Sequence, residues 1–191
     1  MSTYTGHNFK DAKPNKDFLN RFPKEFLSAW EKTMRWEGGA VAHNVSGDTG
    51  GWTKYGISQK AYPKLDIKNL SARDAIELAY YDYWALMQCD KIAEYSPIAA
   101  GHVFDIGFNM GHRWGIKMLQ RAINQLHNAK VLKDDGIYGR LTHAELQCVN
   151  PESLNNALRH VRIKRFKWLA TVNPINRKFL KGWTNRANDF A

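Results

Sequence analysis

The sequence predicts a mainly helical protein: a helical bundle with one small β hairpin. Three observations carry this. Helix-start signals recur along the chain, at Ser71, Ser96-Pro97 and Pro151, each before apolar residues spaced three and four apart. Only residues 40–57 mix Gly, Asn, Ser and Asp with single apolar residues, the pattern of turns and short strands. The chain has 191 residues of which 43% are apolar, enough to core one ordinary domain or two small ones.

In chain order, residues 1–16 are polar and expected to be a flexible N-terminal segment. A helix is predicted from Pro23 to Trp36, with Phe26, Ala29, Trp30, Thr33 and Met34 on one face and Gly38-Gly39 as its stop. The hairpin follows. Ser58 suits the cap of a short helix that Pro63 ends. Ser71 and Asp74 resemble a capping box, opening a helix to about Met87. Further helices are expected over 97–110, 112–126, 141–148 and 151–172, with a last one after Pro174. No internal repeat is visible.

The net charge is +10, from 28 basic and 18 acidic residues, which points to a polyanionic partner. Nucleic acid, anionic membrane and anionic cell wall all qualify. Seven tryptophans supply stacking faces for sugars or bases. No apolar run is long enough for a membrane span. The first eighteen residues contain no apolar core or small-residue cleavage site, so the expectation is a product folded in the cytosol. Cys89 and Cys148 lack metal-type spacing; free, buried thiols are the expectation, with a disulfide between them as the alternative. No HExxH is present, and Asp134-Asp135-Gly136 lacks the later Glu of a calcium loop, so no metal or other cofactor is expected. That segment reads as a structural turn. In the basic stretch 159–168, Arg162 and Arg165 interrupt the apolar stripe, which suits a packed helix with a paired arginine better than a membrane-inserting one.

One run proposes a chemistry: Trp36-Glu37-Gly38-Gly39, then Asp48-Thr49-Gly50-Gly51-Trp52-Thr53-Lys54-Tyr55-Gly56-Ile57. Glycosidic cleavage needs a carboxylic acid that keeps its proton near neutral pH, and a helix C-terminus disfavours negative charge. Glu37 stands at such an end. A second carboxylate must activate water or stabilise developing positive charge, and Asp48 is the candidate. Thr53, on the same hairpin, is placed to hold a water. Trp52, Tyr55, Asn109 and Trp114 are candidate sugar contacts, through ring stacking or an amide hydrogen bond. Each residue alone also has a plain structural reading: a solvated helix end for Glu37, a tight turn for Asp48, a β former in Thr53, core packing for the aromatics and a helix cap for Asn109.

The run Glu37-Gly38-Gly39, Asp48, Gly50-Gly51, Thr53 and Tyr55-Gly56-Ile57 resembles the signature of glycoside hydrolase family 108. These are N-acetylmuramidases found as phage endolysins and related bacterial lysozymes. Tyr80 to Trp84, Phe104-Asp105 through Asn109-Met110-Gly111, Asp135 to Gly139 with Thr142, and Leu169-Ala170 through Gly182-Trp183-Thr184-Asn185-Arg186 resemble further family segments in the right order. The resemblance spans about residues 24–188. It implies an α+β, lysozyme-like fold whose hairpin flanks the active-site cleft, and Glu37 as proton donor. Analogy with phage-type lysozymes, which use a Glu, Asp and Thr set, implies roles for Asp48 and Thr53.

The domain organisation expected is 1–16 flexible, 17–111 catalytic, and 112–191 a C-terminal helical part with a peptidoglycan-binding-like motif, packed with the catalytic part as one globule. The resemblance implies hydrolysis of the β-1,4 bond between N-acetylmuramic acid and N-acetylglucosamine. A carboxylate separation of about 5 Å gives retention and about 6.5–9.5 Å inversion; inversion is the outcome favoured. The expected partners are peptidoglycan and the anionic envelope surface, not nucleic acid, met by a monomer. The expected setting is storage in the cytoplasm, with action on the wall after passage through a holin or export system. Two rivals stand beside this: a lytic transglycosylase using Glu37 alone, and a non-catalytic peptidoglycan-binding protein.

Overall fold

The computed structural model describes residues 14–37, 43–44 and 51–190. The chain forms two compact units, residues 1–85 and 86–191. Helices dominate both, as the capping signals imply.

In the first unit the Asn15 side chain accepts the Phe18 N–H at 2.9 Å and caps a short helix, α1 (Lys16–Leu19). This helix has no strong sequence signal; residues 1–13 of the expected loose segment lie outside the described residues. The second helix, α2 (Lys24–Trp36), buries Phe26, Ala29, Trp30 and Thr33 of the predicted face, while Met34 is half-buried. Pro23 is its N-cap, with φ −57° and ψ 141°. The anchor of α2 is a ring cluster. Phe22 and Phe26 meet Tyr80 edge-on at 5.2 and 5.1 Å between centroids, and Phe26 meets Trp84 at 5.6 Å. Such edge-to-face pairs add about 0.5–1.5 kcal/mol each beyond area burial.

The β element has one strand more than the predicted hairpin. Strands β1 (His43–Asn44), β2 (Trp52–Lys54) and β3 (Ile57–Ser58) form an antiparallel sheet in sequence order. Thr53 pairs with both His43 and Ser58. The helix expected after Ser58 is instead a single turn: Ala61 and Tyr62 both donate to the Ser58 carbonyl, at 3.1 Å. Gln59 replaces the helix. Its side-chain amide donates to the carbonyls of Tyr62, Pro63 and Leu65 at 3.2, 3.1 and 2.8 Å, which folds the loop around it. Ser71 caps α3 (Ala72–Ala79) as the capping box predicts, with the Asp74 N–H donating to Ser71 Oγ at 3.1 Å and Ser71 Oγ to Asp74 Oδ2 at 2.6 Å. The helix predicted to continue to Met87 widens at Tyr80–Ala85 into a π-helical segment.

The second unit is built around α5 (Pro97–Met110), buried from Ala99 to Phe108. Before it, α4 (Cys89–Tyr95) starts from Gln88 in the left-handed region (φ 54°), a start for which the sequence carries no cap signal. The predicted helices follow: α6 (His112–Leu126), α7 (Arg140–Gln147) and α8 (Pro151–Val172), then a 3-10 turn and α9 (Leu180–Asp189). α5 and α6 approach closely through glycine. A Cβ on Gly115 would lie 2.8 Å from the Val103 carbonyl oxygen and 2.6 Å from Met87 Sδ. Both cysteines are free, but only Cys89 is buried; Cys148 is exposed, which corrects the expectation for that residue.

At the centre of this unit the fully buried Asp105 of α5 receives two arginines. Arg162 of α8 donates through Nη2 to Oδ2 at 2.5 Å, and Arg186 of α9 forks onto both oxygens, with Nη2 to Oδ1 at 2.7 Å. This is the paired arginine that the interrupted stripe of α8 implies. Burial pushes the Asp105 carboxyl up, but the two guanidiniums outweigh it and hold it below its ordinary value. A depressed carboxyl stabilises the fold fully above the unfolded value of about 3.9, and the contribution is lost as pH falls through the folded value. Asp105→Asn leaves two buried guanidiniums facing a neutral amide and is expected to cost about 3–5 kcal/mol in urea unfolding at pH 7. The acid limb of the stability–pH curve should be flatter in that variant than in the natural chain.

Candidate active site

Glu37 is the C-cap residue of α2: its N–H donates to the Thr33 carbonyl at 3.2 Å, and the residue is half-buried. The carboxylate is thus placed by a helix end, and the helix is fixed by the Phe22, Phe26, Tyr80 and Trp84 rings. Trp36, one residue earlier, is 37% exposed. The final turn of α2 therefore presents an indole and a carboxylate at a partly open surface.

The sheet sorts the remaining candidates of the first unit. Alternate residues of a strand point to opposite faces. Lys54 pairs with Ile57, which is 2% exposed, so the face of Lys54 and Trp52 is the one turned to the core. On that side the Lys68 ammonium sits over the Trp52 ring at 5.2 Å. Thr53 and Ser58 share the opposite face. Thr53 and Trp52 therefore cannot line the same surface of the sheet. Tyr55 lies in the two-residue turn between β2 and β3. Its φ is 53° and that of Gly56 is 74°, the paired positive values of a type I′ hairpin turn. Lys54 Nζ lies 5.7 Å from the Tyr55 ring centroid. Asp48, with Gly38, Gly39 and Gly50, lies outside the described residues.

A second polar group in this unit escaped the sequence reading. Burial, then Tyr83 and Asp82, raises the Tyr62 hydroxyl well above its ordinary value. Burial raises Tyr83 too, against the hydrogen bond from Tyr62. The only sequence trace of this group is Tyr62 before Pro63 and the aromatic run 80–84.

In the second unit, Asn109 is exposed on the last turn of α5, and the C-cap is Gly111 (φ 96°), not Asn109. Trp114 is half-buried in the first turn of α6, with the Arg165 guanidinium 4.2 Å from its centroid. The Asp134–Gly139 segment is organised by one side chain, Gln120 of α6. Its amide donates to Asp135 Oδ1 at 3.0 Å, the Ile137 carbonyl at 3.1 Å and Thr142 Oγ1 at 3.3 Å, and its oxygen accepts the Gly136 N–H at 2.9 Å. The structural-turn reading of this motif is correct. Gly136 is required there, since its φ is 79° and a Cβ would lie 2.6 Å from the Arg113 carbonyl.

A family described as glycosyl hydrolase 108 matches residues 30–111, and one described as a predicted peptidoglycan domain matches residues 114–188. The first match contains the C-terminal half of α2, Glu37 and the sheet; the second contains Trp114, Gln120 and the buried arginines. A solved structure of Brucella abortus SagA is 24% identical, with 86% of this chain and 90% of that chain covered and a TM-score of 0.69. That likeness is one of fold. No curated protein matches the chain.

The hairpin turn gives a direct test of how the sheet is held. Gly56→Ala puts a Cβ into the left-handed region and is expected to cost about 1–2 kcal/mol, read as a lower thermal midpoint with an unchanged helical circular-dichroism spectrum below it.

Proposed function

We propose, from the premise that the chain belongs to the glycosyl hydrolase 108 family and is a glycoside hydrolase acting on peptidoglycan, that it cleaves the β-1,4 bond between N-acetylmuramic acid and N-acetylglucosamine. The observation carrying this is the placement of Glu37. It falls inside the matched hydrolase region, at the C-terminal end of a helix whose first turn is fixed by a ring cluster.

Glu37 acts as general acid. Its proton passes to the bridging glycosidic oxygen as the bond from that oxygen to the anomeric carbon breaks. A water adds to the anomeric carbon and gives up a proton, and the liberated hydroxyl leaves on the second sugar. In the inverting form that we favour, Asp48 or Thr53 positions the water, whose proton passes to Asp48 or, if Thr53 alone holds the water, to bulk solvent. Thr53 suits this work because it is on the sheet face turned away from buried Ile57. Trp52 is turned to the other face, which favours a packing role for it. Tyr55, Asn109 and Trp114 remain the sugar-contact candidates. The positive charge favours approach to an anionic envelope.

Glu37→Gln is expected to fold normally and to release reducing ends from purified sacculi about a thousandfold or more slowly. Wild-type rates in that variant would remove Glu37 from the mechanism. Mass spectrometry of the natural chain's digest separates the rivals: hydrolysis leaves reducing muramic acid ends, a transglycosylase leaves anhydro ends, and a pure binding protein leaves none. Proton NMR of the first product should show the α anomer; the β anomer would establish retention. Comparison of Asp48→Asn with Thr53→Ala decides the water's partner, the larger loss in rate marking it.

The proposed setting is an endolysin, stored in the cytoplasm and passed to the wall by a holin or export system. Cells expressing the chain should keep their turbidity until the membrane is permeabilised, then lyse within minutes. Lysis without permeabilisation would exclude that setting.

A further inference from the structure

The second unit holds a cavity of about 700 Å³ on the side of α6 and α8, lined in part by Arg121, Lys130, Asp134, Lys164, Arg165 and Trp168. Four cations face one carboxylate. Asp134 is committed: its Oδ2 accepts from Arg121 Nε at 2.7 Å. No other carboxylate pairs with Arg121, Lys130, Lys164 or Arg165 among the described residues.

Arg165 is the member held by rings. Its guanidinium carbon lies 4.2 Å from the Trp114 ring centroid and 4.3 Å from that of Trp168, so two indoles flank it. Its Nε is buried with no hydrogen-bond partner among the described residues. Burial, and then the charge of Arg121, press its pKa below the ordinary arginine value. A guanidinium flanked by two indoles, partly buried and repelled by a second guanidinium is set up to receive an anion. The cavity is far larger than one ion needs and is of the size that takes a small organic ligand. Trp168 and Val161 add apolar wall.

We propose that this cavity binds a peptide-stem carboxylate of the wall, with Arg165 and Arg121 as its anion receivers and Trp168 and Val161 against the stem's methyl groups. The inference rests on peptidoglycan as the partner and adds the part of it that this unit recognises. Planar carboxylates match the guanidinium fork, and stem alanines match small apolar walls. A phosphate-bearing envelope polymer would supply charge but no methyl groups for those walls.

The test measures binding rather than cleavage, with the full chain silenced by Glu37→Gln, sedimented with purified sacculi. Adding Arg165→Gln is expected to weaken binding roughly ten- to a hundredfold, the effect of losing hydrogen bonds to a charged group. Arg165→Lys keeps the charge without the fork and should recover only part of it. Sacculi stripped of stems by an amidase should bind the silenced chain weakly, with no further loss from Arg165→Gln. A thermal midpoint within a few degrees of the parent shows that the variants fold.

Equal binding of parent and Arg165→Gln to intact sacculi would overturn the proposal. So would an equal Arg165→Gln effect on stripped and intact sacculi. Binding that disappears with removal of wall phosphate polymers, stems intact, would reassign the cavity to phosphate. These outcomes are separate from failure of the enzymatic reading, which shows as absence of new sugar ends when the natural chain digests intact sacculi.

Discussion

The second unit depends on one buried carboxylate. Asp105 stands fully buried in a helix that is apolar on nearly every side, and Arg162 and Arg186 balance its charge. Those arginines come from helices 57 and 81 residues later in the chain. A pair of hydrophobic residues could fill the same space and stabilise as much. An ion cluster does something different: it has one satisfying arrangement of three helices and penalises every other. Hydrophobic packing of α5 alone would tolerate rotation or sliding of its neighbours; the forked Arg186 contact does not.

The first unit solves a different problem by different means. Glu37 is placed through its backbone, as the cap residue of a helix whose opposite end is clamped by rings. Thr53 is likewise fixed through its main chain, paired on both sides. Gln59 keeps the following loop folded with three carbonyl contacts and needs no regular element to do so.

Much of this was legible in the sequence, and for identifiable reasons. Ser71 and Ser96 cap helices by local hydrogen bonds and Pro151 opens a third, and local chemistry is what a sequence displays. The face of α2 was visible because burial on one side of a helix imposes a period. The position of Glu37 at a helix end followed from Gly38-Gly39. What stayed hidden depends on partners distant in the chain. Gln59 and Gln120 look like any polar residue until the carbonyls they gather are in place. The start of α4 at a left-handed Gln88 breaks the usual cap chemistry, and the helix goes unannounced. The third strand was invisible because a two-residue strand exists only through its neighbour. Trp52 and Thr53 are adjacent in the motif, and strand alternation turns them to opposite faces of the sheet.

The π-helical segment at Tyr80–Ala85 bears on how this chain can vary. A π turn takes up one residue beyond the α repeat, so it behaves as an insertion that the helix has absorbed without a loop. Removing any one residue there would let the segment close into an ordinary α-helix with all its backbone hydrogen bonds. Tyr80 and Trp84, which now both reach Phe26 across four residues, would stand three apart after a deletion between them, a spacing that still shares one face of an α-helix. A one-residue change of length in this stretch is thus met by a change of helix type, with no loop and little loss of phase.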